Sequence, residues 1–192
     1  WPRSIGSGID ENGIQYQSIQ KPDFDSISPI RKHLCLPGPG ALFKKDIFEQ
    51  LGGFDTQFRI LFDMDFWWRA SLIGPFARIP RPLSAFRQHR SSQSSTGGER
   101  MAAETIRCVE KFYALPNLPA SLTHVKGEAL SNAYYAAGMQ LALAKGDMMA
   151  SKEYLLKSFS CSPRNYFKAE NRDKLINFIN VALSPKIIPI VK

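Results

Sequence analysis

Unbroken apolar runs are missing from this sequence. Its longest apolar stretch, residues 134–144, is interrupted by Gly138 and Gln140 and falls well short of the ~20 residues a bilayer span requires, so no transmembrane helix is expected. No initiator Met, basic leader or apolar signal-peptide core stands at the start, and the chain is expected to be a fragment of a longer protein. Cysteine is scarce. Cys35, Cys108 and Cys161 are odd in number and widely separated, which fits neither a disulfide framework nor closely paired zinc ligands and points to a reducing cytoplasm. Basic clusters are missing as well. The net charge of +8 divides into 12 basic and 10 acidic residues over 1–99, or +2, and 13 and 7 over 100–192, or +6. The rear charges are spread as on a solvated face, with contact to anionic lipid headgroups as the alternative reading. Aromatic residues fall on apolar periodic positions and not between Lys and Arg, so no nucleic-acid partner is expected.

What is there is ordinary globular material, 44% hydrophobic and 22% charged, enough for one domain and an appendage. The turn signal Asp10-Glu11-Asn12-Gly13 predicts a hairpin between Ser4-Ile5 and the alternating Ile14, Tyr16 and Ser18. Residues 24–34 read as a short helix opened by Asp25 or Ser26, and residues 36–40, with two prolines, as a turn. A brief strand is expected at residues 41–43. A helix over residues 45–51 carries Ile47, Phe48 and Leu51 at the spacing of one face and is stopped by Gly52-Gly53. A second, opened by Asp63 or Asp65, runs to Gly74-Pro75. Two strands at residues 76–79 and 83–86 and a flexible polar loop at 91–98 complete the front half.

From residue 99 the spacing predicts helices: one carrying Met101, Ile106, Val109 and Phe112, one over about residues 121–145, one after Gly146-Asp147 reaching Pro163, and one carrying Leu175, Phe178, Ile179 and Ala182. Around Gly146-Asp147, Leu155 and Ser158-Phe159 the pattern resembles one helix-turn-helix unit of a tetratricopeptide-type solenoid. Such a unit buries its apolar face on a neighbour and is expected to dock on the preceding domain. The basic, apolar segment 184–192 reads as a flexible tail or a weak membrane-surface foot.

The informative block is residues 38–94, GPGALFKKDIFEQLGGFDTQFRILFDMDFWWRASLIGPFARIPRPLSAFRQHRSSQS. It resembles the acceptor half of family 2 inverting glycosyltransferases of the GT-A fold, where a small-residue turn, a strand, a helix ending in GGFD, an acidic motif opening a helix and a later R-x-H loop recur in this order. The resemblance implies that Asp63 is the catalytic base, the second acid of the family's Glu-Asp pair; Phe62 stands where the Glu would be. It implies supporting roles for Asp65 and Arg69, acceptor contacts from Gly38, Gly40, Trp67 and Trp68, and donor-diphosphate contacts from Arg87 and His89, with His89 a candidate metal ligand. Asp63-Met64-Asp65 also has the form of the DxD metal motif, but in this fold that motif ends a buried strand, whereas these acids open a helix. The DxD ligands of a divalent metal, Mg or Mn, are therefore expected upstream of Trp1.

The chemistry suits the residues. A sugar hydroxyl is a poor nucleophile, so displacement at an anomeric carbon benefits from one carboxylate that removes its proton. The departing nucleoside diphosphate needs a metal and cationic or imidazole groups. Plainer readings stand beside these: either acid caps the helix, a role worth about 1 kcal/mol; His89 is a surface residue, as His33 and His124 are read; and Gly38 and Gly40 make a turn. Of Trp67 and Trp68, adjacent on a helix, one is core and the other free to stack on an acceptor ring.

The fold expected is α/β, α+β within these residues: the rear half of a GT-A domain over 1–98, an all-α extension with a tetratricopeptide-like pair over 99–183, and a tail over 184–192. The function expected is transfer of a sugar from a nucleotide-sugar donor to a carbohydrate or lipid-linked acceptor with inversion, in cell-surface polysaccharide or lipopolysaccharide biosynthesis, on the cytoplasmic side of the inner membrane. The alternative is a non-catalytic binding or scaffold module acting through its helices.

Overall fold

Local turn chemistry accounts for the first element, a hairpin. In the computed structural model, which describes residues 4–20, 25–35, 40–77, 79, 84–87, 89, 91–144 and 147–183, strands β1 (Ser4–Ile9) and β2 (Gln15–Gln20) pair antiparallel. The Asp10 carboxylate accepts from the amides of Asn12 and Ile14 at 2.9 and 2.8 Å, and Gly13 adopts a φ of 86° that favours glycine. β3 (Ser84–Arg87) joins β1 in parallel, giving a mixed sheet of order β2-β1-β3. The chain is otherwise mostly helical.

Helix α1 (Ser28–Arg31) is a single turn, much shorter than the span expected over residues 24–34. Asp25 opens it as expected, accepting from the amides of Ile27 and Ser28, and His33 in the left-handed region follows its end. α2 (Lys45–Gln50) ends where the glycine pair demands: Gly52 and Gly53 have φ of 71° and 76°, and their amides bond back to the Glu49 and Phe48 carbonyls. The expected strand at 41–43 has no ladder partner among the described residues; Phe43 serves an aromatic cluster instead. Residues 76, 77 and 79 are likewise irregular, and residue 78, with Gly38, Gly146 and the 184–192 tail, lies outside the described residues.

α3 (Phe62–Ala70) is the core helix of this first unit, which comprises residues 1–29 and 35–96. It buries Phe66, Trp67 and Ala70 against Ile47, Phe48, Leu51 and Phe76. The packing is aromatic: Phe66 has Phe54 and Trp67 edge to face and Phe43 tilted, each at 5.0 Å between ring centres. One turn of helix, α4 (Gln93–Thr96), forms within the loop expected at 91–98.

The second unit, residues 30–34 and 97–192, is helical. α5 (Gly98–Tyr113), α6 (Ala120–His124), α7 (Lys126–Leu143) and α8 (Met148–Cys161) follow in order. The span expected as one helix over 121–145 is thus broken at Val125. Asp147 caps α8, accepting from the amides of Met149 and Ala150 at 2.8 and 3.0 Å. Glycine lets α7 and α8 approach: a Cβ at Gly138 would lie 2.9 Å from Leu155 Cγ, and one at Gly127 would lie 3.0 Å from the Cys161 carbonyl. After α9 (Pro163–Tyr166) and a 3₁₀ turn (Ala169–Asn171), α10 (Arg172–Phe178) runs into a π-helical turn (Ile179–Leu183). Leu155, Tyr166, Phe178 and Val181 form the core there. Among the described residues no helix is long and apolar enough to cross a membrane.

Candidate active site

The two acids of α3 have different surroundings. Neither stands at the N-cap, which is Leu61 with no side-chain bond, although both lie in the first turn, where the helix dipole favours negative charge and Asp63 takes up the first-turn amide of Met64. Asp65 is 4% exposed and is committed to Arg69: its Oδ2 accepts from Arg69 Nε at 2.9 Å and Nη2 at 2.7 Å. Arg69 also donates to the Leu51 carbonyl at 2.7 Å and the Gly53 carbonyl at 3.0 Å. One guanidinium thus fastens α3 to the turn that ends α2, and Asp65 and Arg69 form a brace.

Asp63, one turn edge away, is only partly buried. Its Oδ1 accepts from the Met64 amide at 2.8 Å, and its Oδ2 accepts from the Cys35 thiol at 3.3 Å. Each oxygen keeps lone-pair capacity, since a carboxylate offers about four acceptor sites. Cys35 is the residue that sequence reasoning missed. It is 28 residues away in the chain, and no local signal couples it to Asp63.

The remaining expected site residues fall elsewhere. Trp67 and Trp68 are 6% and 2% exposed, so the expectation that one indole would be open to an acceptor ring is corrected: both are core, because the apolar surroundings of α3 extend past a single face. Gly40 sits at φ 83°, and a Cβ there would lie 2.9 Å from Ser84 Cβ and Oγ. A left-handed turn pressed on β3 explains that glycine without an acceptor. Arg87 Nη1 donates to the carbonyls of Asp10 and Glu11 at 3.2 and 2.9 Å, tying β3 to the hairpin turn. His89 is exposed, with Nδ1 2.9 Å from Ser91 Oγ, an arrangement that leaves Nε2 for a ligand.

Among the described residues no three His, Cys, Asp or Glu side chains converge in a metal-binding group, so these residues do not by themselves fit a divalent-metal site. His33 has its imidazole lowered to about 4 by burial, which keeps it neutral at pH 7. No protein-family model, curated protein or solved structure matches the chain.

Proposed function

We propose that this chain is the acceptor-side and C-terminal portion of an inverting, nucleotide-sugar-dependent glycosyltransferase, with Asp63 as the base that deprotonates the acceptor hydroxyl. The observation carrying this reading is the contrast on α3: Asp65 is 4% exposed and held by Arg69 through Oδ2, while Asp63 is partly exposed, is not the N-cap residue, and accepts one bond on each oxygen, from the Met64 amide and the Cys35 thiol, with further acceptor capacity on both. A general base must be ionised, positioned and reachable. The helix-GGFD-acidic-helix order from Lys45 to Ala70, with Arg69 locking the glycine turn to the acidic helix, supports the GT-A assignment. In this reading Asp65 and Arg69 position Asp63, and the residues that hold the metal and the nucleotide lie outside this chain. Arg87 and His89 contribute at the diphosphate.

The test is transfer from a panel of nucleotide sugars by the full-length protein that carries this chain. Asp63→Asn is expected to lower the rate by about 10²–10⁴-fold, the usual contribution of a general base. His89→Ala is expected to weaken donor or metal dependence. An unchanged dependence on both would return His89 to a surface role.

A further inference from the structure

The helical unit encloses a polar cluster that the proposed reaction does not use. Lys174 on α10 is 6% exposed, yet its amine bonds neutral oxygens and no carboxylate among the described residues. Its Nζ donates to Ser131 Oγ at 3.0 Å and Asn132 Oδ1 at 2.9 Å, both on α7, and lies 4.5 Å from the Tyr166 ring centre and 5.2 Å from that of Tyr135. Asn165 Nδ2 also donates to Asn132 Oδ1, at 3.0 Å, and Tyr166 Oη bonds Ser158 Oγ at 2.6 Å. One amine therefore sits where α7, α8, α9 and α10 meet. Asn132 and Asn165 also line an open pocket of about 260 Å³.

We propose that Lys174 is a proton-sensitive latch, its uncharged amine holding α9 and α10 closed on α7 and its protonation loosening them. A neutral amine still has two N–H groups for Ser131 and Asn132, so closure needs no charge. An ammonium gains a third donor and the attraction of the two phenol rings, but it must give up its water among two serines and two carboxamides, and burial is the larger effect. The ionisable groups facing it are Tyr135 and Glu128 on α7, Cys161 on α8, Tyr166 on α9, and Lys168; Asp173 neighbours it on α10. Glu128, the one nearby carboxylate on the packed elements, is bonded by Lys168 and lies 3.8 Å from Arg31 Nε. Burial lowers the Lys174 amine from 10.5 to about 7, with Glu128 opposing and Lys168 adding to the shift.

The sign follows. Between about pH 7 and 10.5 the opened state binds a proton that the closed state does not, so closure strengthens as pH rises and weakens as it falls. Below about 7 the dependence flattens. Native-state hydrogen exchange of the 163–166 and 172–178 amides, corrected for intrinsic rates, is expected to report opening that becomes up to about tenfold more frequent per pH unit from pH 10 down to 7. Lys174→Met is expected to make that profile flat. A profile that is flat in the wild type, or unchanged in Lys174→Met, overturns the latch. Should the variant fail to fold, NMR titration of the Lys174 side chain in the wild type decides: a midpoint near 7 supports the proposal, and one near 10.5 contradicts it.

Discussion

Arg69 makes four hydrogen bonds, two to Asp65 and two to the Leu51 and Gly53 carbonyls. Truncating it removes the cationic partner of a carboxylate that is 4% exposed, and loss of one partner of a buried pair costs about 3–5 kcal/mol. Arg69→Leu should therefore lower the unfolding free energy by that order in a denaturant titration, while Asp65→Leu with Arg69→Leu recovers much of it. Equal destabilisation in the single and double variants would mean that the backbone carbonyls, and not Asp65, dominate. The acids at 63 and 65 are legible from their spacing as two groups that one cap cannot both serve. Which of them is locked is not legible, because the decision rests on Arg69 and Cys35, the latter far away in sequence. The Trp67-Trp68 pair misleads for a related reason: helical geometry separates neighbouring side chains by direction, but apolar material can lie in both directions.

Elements governed by local chemistry are readable in the amino-acid sequence. The Asp10 to Gly13 turn, the Gly52-Gly53 stop and the cap at Asp147 each satisfy backbone groups within a few residues. Asp147→Ala removes two bonds to the first turn of α8 and should cost about 0.5–2 kcal/mol, measured by thermal or denaturant unfolding. Gly53→Ala forces a side chain into a φ of 76° and within 3.1 Å of the Phe48 ring, so about 1–2 kcal/mol is expected there. Elements decided by packing are not readable in this way. Residues 41–43 are apolar enough for a strand, but Phe43 finds its partners in Phe48, Phe66 and Trp67 and needs no ladder. The buried polar cluster around Lys174 joins positions 42 and 43 residues apart, and a lysine in a helical pattern reads as surface.

Across the whole chain, Asp63 belongs to the unit of residues 1–29 and 35–96, and Lys174 to the helical unit of residues 30–34 and 97–192. The change of pattern near residue 99 marks the rear boundary in the sequence, and the structural division falls between Thr96 and Gly97. That residues 30–34 group with the rear helices has no sequence signal, since the Asn132 side chain donating to the Arg31 carbonyl spans 101 positions. If the nucleotide is held by residues outside this chain, the 192-residue chain alone should release no nucleotide from a nucleotide sugar. The central claim is the role of Asp63, and it is tested most directly by comparing sugar transfer by the full-length wild type and its Asp63→Asn variant at matched folding, verified by melting temperature. The account predicts transfer by the wild type and a loss of about 10²–10⁴-fold in the variant; transfer at a near-normal rate by Asp63→Asn would contradict it.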